Sequence, residues 1–168
     1  MRTLYTISVW LHILATTVWV GGMLFLVLVV VPWLRAGNRA TAGAFLRETG
    51  RRFRDVAWIC FVVLIVTGSF NLWMRGVRIS DFFSVEWRSS TFGMTVLWKI
   101  GLVAVALVLS AVHDFVLGPR ATAEMERDPR SAVSELLRRR ASLMGRANAL
   151  LALAIVFVAV LLVRGVPW

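Results

Sequence analysis

The chain has 168 residues, 59% of them hydrophobic, and a mean hydropathy of +0.77. A soluble domain of this length could hardly hide that much apolar surface, which excludes the common water-soluble classes. The net charge of +10 raises nucleic-acid binding, but no aromatic-interleaved basic patch or binding motif accompanies it.

Four long apolar runs follow one another, at about residues 4–34, 56–74, 92–117 and 147–163. Each approaches or exceeds the ~20 residues that carry a helix across ~30 Å of hydrocarbon. Helix is the conformation that satisfies a lone segment's backbone internally. The expected fold is an all-α integral membrane four-helix bundle, with residues 1–168 forming a single domain. The first run does not read as a cleaved signal: one arginine precedes it, it is too long, and no A-x-A site closes it. The only cysteine, Cys60, permits no disulfide within the chain.

The connections carry the charge. Residues 35–55 and 118–146 hold thirteen of the nineteen Lys and Arg residues. The positive-inside rule places both connections in the cytoplasm of a bacterial-type inner membrane and both termini outside, where the excess reads as a topology signal and an anionic-lipid contact. "TAGAFLRETGRRFRD" and "DPRSAVSELLRRRASLMGRA" have helical composition and are expected to extend runs two and four. Asp128 is the expected N-cap of the second, with Pro129 at the first helical position. The external segment "RGVRISDFFSVEWRSST" mixes Phe82, Phe83 and Trp87 with charges, as an interfacial segment does. Trp10, Trp33, Trp58, Trp73 and Trp98 lie near run ends, as an aromatic belt predicts.

The two halves share a plan. Runs one and three each end near a proline, Pro32 and Pro119, and "RATA" follows each, at 39–42 and 120–123. The prolines are offset by 87 residues (119 − 32) and the "RATA" segments by 81 (120 − 39), so one constant shift does not superpose both. The proline offset sets His12 opposite Lys99, the only lysine in the chain.

Polar residues gather at two depths. With runs one and three descending from outside, His12 lies ~12 Å deep and Lys99 ~10 Å deep, at ~1.5 Å per residue. Run two brings Thr67, Ser69 and Asn71 to that level, and Met74 and Met94 lie at its outer rim. His12, Thr16, Trp19 and Met23 share one helical face, and Gly21 and Gly22 would admit a neighbouring helix or flat ligand. His113, Asp114, Cys60 and Asn148 form an inner level. About 20 Å of depth separates the two histidines, so they are not expected to ligate one metal or haem together.

Each candidate has two readings. Lys99 either snorkels to the outer headgroups or faces the bundle beside His12 as ligand, proton carrier or anion partner. His12 either hydrogen-bonds a threonine or asparagine across helices or serves as a neutral imidazole ligand to metal or haem. Asp114 either pairs with Arg120 or Arg146 or joins His113 in a site; Cys60 otherwise packs as a small apolar residue. The candidate cofactor set is His12, Lys99, Thr16, Trp19 and Asn71. The candidate metal set is His12, Met94, His113, Asp114 and Cys60. Six scattered methionines are few for a copper path built on soft ligands. H-E-x-x-H, C-x-x-C, P-loop and G-x-G-x-x-G motifs are absent, and no hydrolytic triad is visible.

"LHILATTVWVGGMLF", "VTGSFNLW", "FGMTVLWKIGLV" and "AVHDFVLGPRA" together resemble the four-helix core of the copper-resistance D (CopD) family. That resemblance implies an inner-membrane protein linked to copper handling, with His12 and Lys99 as the corresponding histidine and lysine. The same pair also resembles HemJ-type protoporphyrinogen oxidase, a small haem b membrane protein. This implies His12 as haem ligand and Lys99 as second ligand or essential partner. The stretch "VWVGGMLFLVLVVVP" departs from that family's pattern. The two resemblances imply a copper ion or haem b as the cofactor. Three functions compete: copper handling or transport, a haem b oxidoreductase, and a structural or assembly subunit. Membrane lipid is the expected partner, nucleic acid is not, and a homo-oligomer or partner membrane protein stays open, since a second subunit could supply a second haem ligand.

Overall fold

The computed structural model describes residues 1–35, 39–128 and 130–165, with the side chains of residues 35, 39–44 and 46 outside that description. The chain runs through α1 (Arg2–Phe25), a π turn (Leu26–Val30), α2 (Val31–Arg35) and α3 (Arg39–Met74). A 3₁₀ turn (Ile79–Phe83) and α4 (Val85–Ser89) lead to α5 (Thr91–Val112). A second π turn (His113–Leu117), α6 (Gly118–Arg127) and α7 (Ala132–Arg164) complete it. No strand occurs among the described residues, and four helical stretches there are long and apolar enough to cross a membrane. This is a multi-pass membrane protein. Side chains such as Leu28, Leu150 and Val163, each at least two-thirds exposed, are suited to lipid rather than to water.

The arginine-rich connections are helical, as composition indicates, and α3 and α7 are each continuous through them. One boundary differs. Ser131, not Asp128, caps α7, its hydroxyl accepting from the Ser134 N–H. Asp128 instead ends α6 and accepts from the Arg130 N–H at 3.1 Å. A short polar side chain serves the nearest free donors, so Asp128 closes its own turn before the helix begins. Pro129 lies outside the described residues.

The two π turns have one cause. Proline lacks an N–H and its ring crowds the carbonyl four residues back. Just before Pro32, the Val31 N–H reaches back five residues to the Leu26 carbonyl; just before Pro119, the Gly118 N–H reaches the His113 carbonyl. The second π turn follows the first by 87 residues (113 − 26), the same offset as the prolines. Runs one and three are thus built alike, in the register that pairs His12 with Lys99.

Helix α1 packs on α3 and α5 on α7, and α1 meets α7 between the pairs. Small residues allow this: Ala106 and Ala152 are 1% and 0% exposed at the centre of the core. Gly76, at φ +87°, closes α3 with Val77 N–H bonding back to the Leu72 carbonyl and Gly76 N–H to that of Trp73. Beyond it, Phe82, Trp87 and Phe92 pack in series and Arg78 lies over Trp73, which fixes the short connection.

Gly22 and Gly21 differ. A Cβ on Gly22 would collide with the Phe53 ring, whereas Gly21 faces open space. Gly22→Ala should therefore cost about 1 kcal/mol as the ring gives way, and Gly21→Ala nothing comparable; unfolding midpoints in one detergent compare them. Equal midpoints would show that Phe53 moves freely.

Candidate functional site

At the α4 end, α1 and α3 are joined by a polar contact between half-buried and buried groups. His12 Nδ1 lies 2.8 Å from the Thr67 hydroxyl, which donates its single proton to the Val63 carbonyl at 2.6 Å. With that proton committed, the contact is a hydrogen bond when Nδ1 carries the hydrogen. Nε2 then keeps its lone pair, the form in which imidazole ligates a metal. Gly68 adjoins the same edge of the ring: a Cβ there would stand 3.3 Å from His12 Cε1, so the ring lies close against the α3 backbone. Ser8 reaches the Thr67 carbonyl at 3.5 Å. Asn71, one turn beyond Thr67, has a buried Oδ1 with no hydrogen-bond partner.

Lys99 comes from α5. Its neighbours Trp98 and Ile100 are 67% and 44% exposed, while Val96 is 2% exposed. Lys99 is therefore on the inward side of α5, half-buried, within electrostatic range of the His12 ring and of Arg75. Of the other sequence candidates at this level, Thr16 donates to the His12 carbonyl at 2.8 Å, and Trp19 packs on Phe61 at 4.9 Å in the core. Met94 is 49% exposed on the outer face of α5.

A second polar layer lies toward the arginine-rich end. Asp114, in the second π turn, accepts from the Trp58 indole at 3.1 Å and stands 3.0 Å from His113 Nδ1. It does not pair with Arg120 or Arg146, because α3 supplies Trp58 at shorter reach. His113 Nε2 points toward α7, where Gly145 leaves room: a Cβ there would be 3.9 Å away. One turn along, buried Asn148 donates to Ser110 at 2.8 Å, and its Oδ1 has no partner. Cys60 lies apart, in the apolar core beside Ala57 and Phe61. It is two positions from Trp58 and so ~200° round α3.

Thr67, which His12 contacts, and Trp58, which is linked to His113 through Asp114, are nine residues apart (67 − 58) on the single helix α3, or ~14 Å. The levels are closer than depth counting suggests, yet still too distant for one metal. Among the described residues, no three His, Cys, Asp or Glu side chains form a metal-holding group. Gly68 and the Trp58–Asp114 link escape sequence reading. "TGS" four residues before Asn71 is a signal for the first; nothing local marks the second.

A family model, copper resistance protein D, matches residues 47–162. The chain belongs to the copper resistance protein D family. A protein of Aquifex aeolicus (strain VF5), described as uncharacterized, is 32% identical over 112 residues, 66% of this chain and 68% of that one. No solved structure matches. The segment matched to the copper resistance protein D family takes in Thr67, Asn71, Lys99, His113 and Asp114; His12 precedes it.

Thr67→Val tests the orienting contact. It keeps the shape and removes the acceptor for Nδ1, so a ligand held on Nε2 should bind about tenfold more weakly. Unchanged affinity would mean the hydroxyl does not set the ring.

Proposed function

We propose that this membrane protein handles copper through a site in the outer half of the bundle, with His12 Nε2 as the ligand and Lys99 beside it. Both termini lie outside and the arginine-rich ends face the cytoplasm of the inner membrane, as the charge distribution favours. The observation that carries the reading is the Thr67 contact, which leaves Nε2 with a free lone pair. The family supplies the link to copper.

A second reading uses the same nitrogen. Soft donors do not gather around His12: Met94 faces outward and Cys60 is in the core. Copper(I) favours such donors, whereas haem b needs an axial nitrogen, which His12 offers. Lys99 would be the second group near the iron. Bound haem would supply one-electron chemistry; His12 would hold it and the surrounding helices would exclude water.

Visible spectra of the purified protein, oxidised and reduced, with copper and iron measured on the same sample, decide between them. Stoichiometric copper without a Soret band supports the first reading. A Soret band with stoichiometric iron supports the second. A colourless protein that takes up neither overturns both and leaves an assembly role.

A further inference from the structure

A groove of about 620 Å³ opens between α1 and α3 at the arginine-rich end of the bundle, within the ~300–1,000 Å³ usual for small-ligand sites. Its floor is the Phe53 ring lying against Gly22, with Val18 and Val56, both exposed, on its sides. At the other end Phe45 bounds it, backed by the Trp33 ring at 6.0 Å. The α3 positions 45, 48, 49, 52, 53 and 56 recur at three- and four-residue spacing, so one face of that helix forms the wall. The wall runs eleven residues (56 − 45), or ~16 Å, from the apolar span into its charged extension.

The apolar wall meets charge where the span ends. Glu48 and Arg52 stand on the rim, and the Glu48 carboxylate is divided: Oε1 accepts from Arg52 at 2.6 Å and Oε2 from Arg51 at 3.4 Å. One carboxylate between two guanidiniums leaves a positive charge uncompensated. The neighbouring acids do not make it up, since Asp55 is taken by Arg54 and Glu126 of α6 by Arg47. The Arg51 and Arg52 side chains are exposed, so both can turn toward an incoming group.

What fills such a groove must be apolar along most of its length and negative at one end. A zwitterionic lipid gains little, because Glu48, the only acid among the described lining residues, has both oxygens engaged and none free for an ammonium group. A second copy of the chain seated about a two-fold axis would set the same uncompensated arginines face to face. A phosphate diester on a hydrocarbon chain satisfies both ends. Guanidinium binds phosphate through short, charge-assisted hydrogen bonds, and basic pockets between membrane helices bind anionic headgroups. We propose that this groove binds one anionic phospholipid, an acyl chain lying over Phe53 and Gly22 between Val18 and Val56 and the phosphate at Arg51 and Arg52. The site is independent of what His12 holds.

The full chain is reconstituted in nanodiscs of equal phosphatidylcholine and phosphatidylglycerol and released into mild detergent, and the lipid it retains is counted by native mass spectrometry. Wild type should keep one phosphatidylglycerol, with a preference of about tenfold or more over phosphatidylcholine. Arg51→Gln and Arg52→Gln together should reduce that preference by about tenfold. Arg51→Lys with Arg52→Lys keeps the charge and should keep most of the preference, which separates recognition from misfolding. Arg138→Gln with Arg139→Gln is the matched control: both arginines bond Glu135 on α7 in the same way, and their loss should change nothing. Val56→Trp fills the groove from an exposed position and should expel the lipid while the arginines remain. Equal retention of the two lipids, equal losses in the α3 and α7 pairs, or phosphatidylglycerol kept by Val56→Trp overturns the proposal, as does a dimer mass without bound lipid.

Discussion

His12→Ala should abolish metal or haem binding while leaving the bundle folded. The structural cost is small, because the substitution removes one hydrogen bond to Thr67, worth about 1 kcal/mol. The effect on binding is large. A partner that merely orients a ligand is worth roughly 10–100-fold in affinity, so losing the ligand itself should exceed that and leave no stoichiometric metal after purification. His113→Ala is the control. Its ring belongs to the Asp114–Trp58 layer, ~14 Å along α3 by helical rise, and its loss should leave occupancy at the outer site unchanged. Copper and iron content, with the Soret band, measure both variants at equal protein recovery. Full occupancy in His12→Ala, or emptying by His113→Ala, would place the site elsewhere.

The size of that effect depends on how the ring is held. Thr67 fixes the nitrogen that carries the proton, and Gly68 lets the ring lie against the α3 backbone. Neither interaction is stronger than an ordinary hydrogen bond or van der Waals contact. Their value is that Nε2 is presented before anything binds, which reduces the ordering required on binding.

Much of this architecture is readable in the chain because the membrane imposes simple rules. An apolar run must be a helix, and that places His12 and Lys99 on two helices at one level. The proline spacing pairs them, and the π turns explain why that spacing is meaningful. A hydrogen bond from His12 to a threonine is one of the two readings the residue types allow, and the structure realises it without closing the other, since it occupies only Nδ1. What sequence could not show is cross-helix choice. Asp114 has nearby arginines in sequence, and on electrostatics alone they are the obvious partners. Helix packing brings Trp58 closer, and packing between residues 56 apart leaves no local pattern. Cys60 fails to join His113 for a similarly geometric reason, since depth along a helix says nothing of direction around it.

Asp114→Ala should destabilise the protein by about 2–3 kcal/mol, the larger part of it from Trp58. The carboxylate accepts at 3.1 Å from the indole and stands 3.0 Å from His113, and its side chain is 18% exposed. Without it, the Trp58 N–H remains wedged by its rings against Phe61 and Phe115 and cannot turn to another acceptor. An unmet donor in that position costs about 1–3 kcal/mol, whereas half-exposed His113 can be solvated. Asp114→Asn separates the contributions. Its amide oxygen can still accept from Trp58, and its NH₂ can donate to His113 Nδ1 if the imidazole proton moves to Nε2, where Gly145 leaves room. The asparagine variant should therefore retain most of the stability, by unfolding midpoint in a single detergent. Equal losses in the two variants would mean that negative charge, not the paired hydrogen bonds, holds this layer. In that case Arg54, which lies over the neighbouring Phe115 ring at 5.5 Å, becomes the cation to test.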